Sequence, residues 1–412
     1  MNICKIWDAD YPWDIRVEKV ASSLAAAGHS VHLVCRNETR RIRHEWNGTF
    51  MIHRIPVLPS ALTPAHTLWN LPYPLNPAWI TTIGQVIRNT RADLIVARDI
   101  LLALPAAIFG RIHRIPVVLD MAENYPAMLK DRLTYTPTGA LGRLIRNPST
   151  ARLIERLAVC LVDHIIVVVE ESRDRLVRAG VPPDRLTIVS NTPPQDNRWK
   201  KGKAAQGCAS DSQSARLVYL GNLDGSRGLD VAIRAVSLLK HAGHATRLSV
   251  VGDGPSISQL RDLAVTLNVV DRVEITGRLP FSQVQTIMAT ADIGLIPHYA
   301  TEAWDTTIPN KLFDYMALGL PVIVSEVKPA ARIVRTEGCG EVFRDRDCRD
   351  LARCILTLAN AQLRESKGRN GQAAIRRRYN WDHDSRQLLD VVATVGSRSS
   401  SLVAGHSCTP SR

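Results

Sequence analysis

At 412 residues the chain is long enough for two domains, each with its own core. Its 45% hydrophobic and 5% aromatic content fits a soluble α/β protein, and apolar runs such as Ile100 to Phe109 are too short to span a bilayer. A net charge of +13, from 52 basic and 39 acidic residues, favours an anionic partner: nucleic acid, anionic lipid or a phosphorylated substrate.

The chain begins with a strand pattern, Asn2 to Asp8, and no signal-peptide pattern precedes it. Helix 16–27 ends at Gly28-His29, and Ser30 to Cys35 forms the next strand. Strand Leu94 to Ala97, helix Leu101 to Arg111, strand Pro116 to Leu119 and strand His164 to Val169 follow. Helix Glu171 to Ala179 and strand Leu186 to Val189 close this half. Strands alternating with helices imply a parallel sheet with right-handed crossovers. Residues 199–215 are small, polar and aperiodic, which reads as a linker.

A second series starts at strand Leu217 to Leu220 and runs through helix 229–240, strand Arg247 to Val251 and helix 256–267. Strand Val273 to Thr276, helix 281–290 and strand Ile293 to Ile296 continue it. Next come a polar loop and a short helix with Leu312, Phe313, Met316 and Ala317 on one face. Gly319 suits the left-handed residue past that helix, Pro321 bars continuation, and Val322-Ile323-Val324 reads as a covered strand. A helix near 347–360 and a basic stretch to Arg378 complete the domain, and a last helix runs from Tyr379 to about Val395.

Eight scattered cysteines without a C-x-x-C pair point to a reducing compartment, so the sequence reads as cytoplasmic. The 12 histidines contain no spaced ligand set and there is no D-x-D motif, so no metal is expected. No G-x-G-x-x-G follows the first strand, which disfavours a dehydrogenase, and no nucleic-acid module is present.

Polar stations recur after strand ends in the second half, where ligands of doubly wound sheets bind. They are Gly221-Asn222-Leu223-Asp224-Gly225-Ser226-Arg227-Gly228, Gly252-Asp253-Gly254-Pro255, Gly277-Arg278-Leu279-Pro280 and Thr306-Thr307-Ile308-Pro309-Asn310-Lys311. A lysine in the first turn of a helix opposes the helix dipole, which hints at an external anion. On spacing alone, Lys311 and Asp314 read more readily as a solvated helix face.

Together these motifs resemble the donor domain of retaining glycosyltransferases of family 4. With Ala291-Asp292-Ile293-Gly294-Leu295-Ile296-Pro297 and the stretch Pro309 to Pro321, the likeness extends over roughly residues 2–394. The resemblance implies an α/β GT-B fold, two Rossmann-like doubly wound domains facing each other across a cleft. It divides the chain into an acceptor-side domain 1–195, a linker 196–215 and a donor domain 216–378. Helix 379–395 would pack back toward the first domain, leaving a disordered tail 396–412.

The resemblance also assigns roles. Arg227 and Lys311 would neutralise the diphosphate of a UDP- or GDP-linked sugar donor, assisted by amides near Thr307 and Ile308. Asp314 matches the second acid of the family's E-x7-E motif and would hold the ribose, whereas the first acid falls on Thr306. Asn222 replaces the first of the usual cation pair. Gly221, Gly252, Gly277, Arg278, Leu279 and Asn310 complete the expected donor-binding set. On the acceptor side Arg98-Asp99 stands where many relatives carry a histidine, and Asp120-Met121-Ala122-Glu123-Asn124-Tyr125-Pro126 resembles a family segment whose histidine is here Ala122. Arg98, Asp99 and Glu123 are therefore candidates for the reaction centre, with satisfied strand-end ion pairs as the competing reading.

The implied function is metal-independent transfer of a hexose, without a cofactor, from a nucleotide sugar to a saccharide or polyprenyl-linked acceptor in cell-surface polysaccharide synthesis. A sugar-nucleotide epimerase and an inactive nucleotide-sugar-binding scaffold remain alternatives. Basic residues Lys130, Arg132, Arg143, Arg146, Arg152 and Arg156 interleave with apolar ones, near Trp69, Tyr73 and Trp79. That pattern fits an anionic membrane surface as well as a solvated helix with an apolar core face.

Overall fold

The computed structural model describes residues 1–12, 14–57, 76–136, 139, 142, 147–194 and 214–404. It divides into two compact units: Met1–Pro126 with Asn147–Asn191 and Asp384–Arg412, and Ala127–Arg146 with Thr192–His383. Residues 127–136, expected in the first domain, thus group with the second.

The first unit holds β1 (Asn2–Asp10), β2 (Ser30–Arg36), β3 (His44–Trp46), β4 (Met51–Arg54), β5 (Leu94–Arg98), β6 (Val117–Met121), β7 (His164–Val167) and β8 (Leu186–Ile188). They form one sheet in the order β3-β4-β2-β1-β5-β6-β7-β8, parallel except for the antiparallel β3–β4 edge. Residues such as Ile3, Ile6, Leu94, Ile95, Val118 and Leu119 are fully buried, as expected of strands covered on both faces. Helix α1 (Ile15–Ala26) is capped by Asp14, whose side chain accepts from the amides of Arg16 and Val17. The first unit also contains α2 (Pro77–Thr90), α3 (Ala103–His113), α5 (Pro148–Leu161) and α6 (Glu170–Arg178). Helix α4 (Tyr125–Tyr135) spans the division between the units. Helices α2 and α5 start the same way, with an Asn cap (Asn76, Asn147) followed by proline.

The second unit carries β9 (Ser214–Leu220), β10 (Ala245–Val251), β11 (Val273–Gly277), β12 (Ile293–Ile296), β13 (Val322–Ser325) and β14 (Gly340–Phe343). Their order, β11-β10-β9-β12-β13-β14, is that of a doubly wound nucleotide-binding sheet, and every pair is parallel. The order reverses between β9 and β12, so a ligand crevice belongs beyond Leu220 and Ile296. Its helices are α7 (Leu229–His241), α8 (Ile257–Thr266), α9 (Phe281–Thr290), α10 (Lys311–Leu318), α11 (Lys328–Glu337), α12 (Cys348–Thr357) and α13 (Ala361–Arg377).

Several expectations need correction. Strand β9 already begins at Ser214, inside the expected linker, and residues 195–213 lie outside the described residues. The last helix, α14, runs Trp381–Ala404, well past Val395 and through much of the expected tail. Trp79, read as an aromatic near a membrane face, is fully buried in the core, while Trp69 and Tyr73 lie outside the described residues. Among the described residues no helix is long and apolar enough to cross a membrane.

Gly252 illustrates how tightly the strand ends are joined. At φ +143°, a Cβ there would lie 1.8 Å from the Gly221 carbonyl oxygen. Gly252→Ala is expected to cost well over about 1 kcal/mol, because both the backbone angle and the space exclude a side chain. Urea unfolding measures this, and an unchanged midpoint would refute it.

Candidate functional site

The four glycine-bearing or polar stations of the second unit converge. The Gly221 amide donates to Val251 O (3.0 Å), the Gly252 amide to Gly277 O (2.9 Å) and the Leu223 amide to Asp253 O (3.0 Å). On the far side of the crevice, the Tyr299 amide donates to Ser226 O (2.9 Å), and a Cβ on Gly228 would lie 1.9 Å from Pro297 O. The turns after β9, β10, β11 and β12 therefore make one continuous rim.

Lys311 sits at the start of α10, and its side chain turns onto this rim. A Cβ on Gly221 would lie 2.9 Å from its Nζ, which stands 3.7 Å above the Tyr219 ring centroid. The Nζ atom is buried and has no hydrogen-bond partner among the described residues. Burial, reinforced by the neighbouring Arg227 charge, holds its pKa well below the ordinary lysine value. Arg227 is firmly placed by contrast. Its Nε donates to Asp224 Oδ2 (2.8 Å), and its guanidinium lies 4.5 Å from the Trp304 ring centroid.

Asp224 organises this turn. It accepts from the Ser226 hydroxyl (2.5 Å) and from the side chain of Asn222 (2.9 Å). Burial raises its pKa, but the Arg227 charge and the hydrogen bonds from Ser226 and Arg227 win and hold it below the usual carboxylate range. Trp304 is fixed by Nε1 donating to Ser226 Oγ (3.3 Å). Beside it His298, fully buried, packs its ring tilted at 4.2 Å from the Trp304 centroid and edge-on at 6.3 Å from that of Tyr219. Neither ring nitrogen of His298 has a hydrogen-bond partner among the described residues, and burial with the two nearby cations holds it neutral.

Of the expected donor-binding residues, the structure brings Gly221, Asn222, Arg227, Gly252, Gly277 and Lys311 onto this rim. Arg278 is highly exposed, 3.9 Å from Asp253, and Leu279 is half-buried beside it. Thr306, at the first acid position of E-x7-E, is buried, and its hydroxyl donates to the Glu302 carbonyl (2.8 Å). Ile308 is buried, Thr307 and Asp314 are half-buried and Asn310 is exposed. Asp305 is committed to Lys328, accepting from its amide (3.1 Å) and its ammonium (2.8 Å). Tyr219, His298 and Trp304, which support the two cations, escaped sequence reasoning. Only His298 carried a signal, its place just after the end of β12.

The first unit has its own charged centre, at the β1/β5 reversal. Asp120, 1% exposed, accepts from Arg16 Nε (3.0 Å) and Nη2 (2.6 Å), and Lys5 Nζ lies 3.9 Å away. Burial raises the Asp120 pKa, but Arg16, Arg98 and Lys5 overcome it and hold the carboxyl well below the usual range. Arg98, at the end of β5 and 7% exposed, reaches Asp14 at 3.5 Å and Asp99 at 3.8 Å. Asp99 has the left-handed φ of +60°, and burial pushes its carboxyl up to about 6 against the pull of Arg98. Glu123 is exposed at the edge of this group. Arg98 and Asp99 are thus together, as expected, but joined by Lys5, Arg16 and Asp14, whose roles the sequence did not reveal. Among the described residues, no group of three or more His, Cys, Asp or Glu could hold a metal ion.

Comparison with known proteins agrees with this architecture. Residues 214–361 match the model of the glycosyl transferases group 1 family, and residues 14–192 match a glycosyl transferase 4-like domain. The chain is 26% identical over 190 residues to the amylovoran biosynthesis glycosyltransferase AmsK of Erwinia amylovora, covering 46% of this chain and 45% of that one. The chain spans about half the length of the curated relatives it matches. In fold it is similar to sucrose-phosphate synthase from Thermosynechococcus elongatus (TM-score 0.78, 18% identity, 97% of this chain and 100% of that one). It is also similar to Anabaena HepE solved in complex with UDP (TM-score 0.73, 16% identity, 96% and 100%). The two matched family models and the two doubly wound sheets place this chain among the group 1, family 4 glycosyltransferases of GT-B fold.

Proposed function

We propose that the chain is a retaining, metal-independent glycosyltransferase that moves a hexose-type sugar from a UDP- or GDP-linked donor. The acceptor would be a saccharide or polyprenyl-linked saccharide in cell-surface polysaccharide synthesis. The observation that carries this reading is the buried Lys311 ammonium, without a hydrogen-bond partner among the described residues, on the rim beside Gly221 with Arg227 fixed nearby. A diphosphate would supply the oxygens that Lys311 lacks.

Cleaving the sugar–phosphate bond leaves negative charge on the nucleotide diphosphate. Arg227 and Lys311 would stabilise that charge, with no reorganisation needed from an Arg227 already clamped by Asp224 and Trp304. Asp314, in the first turn of α10, would accept from the ribose hydroxyls. Arg98, Asp99 and Glu123 would serve the acceptor. UDP is the first donor nucleotide to test, since a protein of the same fold binds it.

Arg227→Ala is expected to weaken UDP binding roughly ten- to hundredfold, the worth of one or two charge-assisted hydrogen bonds. Asp314→Ala is expected to weaken it less. A thermal-shift panel of UDP, GDP and ADP reads both, and wild-type affinity in both variants would sink the assignment. A chain acting at the inner membrane face would bind through α5, where Arg152, Leu153, Arg156 and Leu157 are exposed and Leu153 is 58% accessible. Flotation with phosphatidylglycerol liposomes tests that contact, and no binding at low salt removes it.

A further inference from the structure

Arg227 is held from two sides, by Asp224 in its own turn and by the Trp304 ring in the turn after β12. Both turns meet a third element. The part of α4 from Ala127 onward belongs to the second unit, and two of its side chains reach these turns. Asp131 Oδ2 accepts from the Thr301 hydroxyl (2.6 Å), and Thr301 Oγ1 accepts from the Trp304 amide (3.4 Å). Tyr135, one helical turn on, lies against Gly225, where a Cβ would stand 3.2 Å from its Cβ and Cδ1. Its ring is 5.9 Å from that of Tyr299.

Tyr299 carries this contact deeper. Its hydroxyl donates to Asp230 Oδ1 (2.6 Å) in the first turn of α7, and its amide donates to Ser226 O (2.9 Å). From the other side, the Arg346 guanidinium lies 4.2 Å from the Tyr299 centroid, and its Nη2 donates to the Tyr135 hydroxyl (2.9 Å). Tyr135 thus braces the turns after β9 and β12, the two strands between which the sheet order reverses. Asp131 supplies a hydrogen bond rather than a counter-charge. Burial pushes its carboxyl above the usual range against the Thr301 hydrogen bond, and the Asp224 charge adds to the push.

We infer that Asp131, Tyr135 and Thr301 are positioning residues for the donor, holding the Gly225–Arg227 and Thr301–Trp304 turns so that Arg227 is aimed before a diphosphate arrives. A cation fixed in place stabilises an anion without reorganisation, and a misplacement of about 1 Å forfeits much of that gain. The inference rests on the donor half of the function proposed above and deepens it by naming the residues that set the geometry of its cation. All three act through Arg227. If α4 merely packed on this surface, removing the Thr301 hydroxyl would lower the melting temperature and leave nucleotide affinity alone.

The test is calorimetric titration of the full-length chain with UDP, with the melting temperature of each variant measured alongside. Thr301→Val is expected to weaken UDP binding about three- to tenfold, the worth of one hydrogen bond, and Tyr135→Ala at least as much. Thr301→Ser keeps the hydroxyl and is expected to restore the wild-type affinity. Asp131→Asn keeps an acceptor for Thr301 and should bind UDP more tightly than Asp131→Ala. In an Arg227→Ala background, Thr301→Val is expected to cost nothing further, because its effect runs through that arginine. Wild-type affinity in folded Thr301→Val and Tyr135→Ala overturns the inference, as does an equal further loss in the Arg227→Ala background. If Tyr135→Ala does not fold, the Thr301 pair decides. A wild-type chain that binds none of UDP, GDP and ADP would overturn the donor reading and this inference with it. A wild-type chain that binds UDP no better than its variants overturns this inference alone.

Discussion

Lys311→Met is expected to raise the melting temperature and at the same time to weaken UDP binding roughly ten- to hundredfold. The two effects share one cause. In the folded chain the Lys311 ammonium is buried without a hydrogen bond to any described residue, and burial and Arg227 both disfavour its charge. The Tyr219 ring beneath it returns about 0.5–2 kcal/mol as a cation–π contact. Desolvating an ion costs several kcal/mol, so the balance is unfavourable until an anion arrives. Methionine fills the same volume without the charge and removes the penalty. Differential scanning with and without UDP reads both signs. A variant less stable than wild type, yet binding UDP as well, would refute the account of this site.

The second large effect lies in the first unit, where two neighbouring cations are expected to behave oppositely. Arg16→Met should destabilise the chain by about 3–5 kcal/mol, because Asp120 stays buried and loses its bidentate partner. Lys5→Met should stabilise it at pH 7. Burial pushes the Lys5 ammonium down to about 8 despite Asp120. Between that value and the unfolded value near 10.5, the unfolded chain binds more protons, so this group makes stability rise with pH. Below about 8 its full penalty applies, on the order of 3 kcal/mol. The gap between Lys5→Met and wild type should therefore narrow as pH rises from about 8 toward 10.5. Urea unfolding at pH 7 and pH 9.5 checks both the sign and the trend. Equal destabilisation by both variants would show that the two cations are interchangeable partners of Asp120.

Sequence patterning located most elements because their signals are local. Runs such as Leu94 to Ala97 and Ile293 to Ile296 are strands for reasons contained within a few residues. Gly319 ends α10 with the φ of +71° that its position after an apolar helix face suggested. The misses are equally physical. Strand β3 has only three residues, exposed at both ends, and gives no alternation to read. Helix α2 was hidden by prolines, although Asn76 followed by Pro77 is a start signal. Thr306 looked like a departure within a binding motif, and its hydroxyl in fact closes a local turn.

The sequence by itself determined the order of strands and helices, the glycines at the strand ends and the positions of Arg227 and Lys311. It could not determine which charges are buried or who meets whom. Arg16 and Asp120 are separated by 104 positions, and only the parallel pairing of β1, β5 and β6 brings that helix over that strand. Lys311 reads as a solvated helix residue until the β9 turn folds against it and leaves its ammonium dry. Periodicity reports the face of an element that turns inward. The field at that face is set by residues far away in the chain, so the chemistry of both centres waited on the tertiary structure.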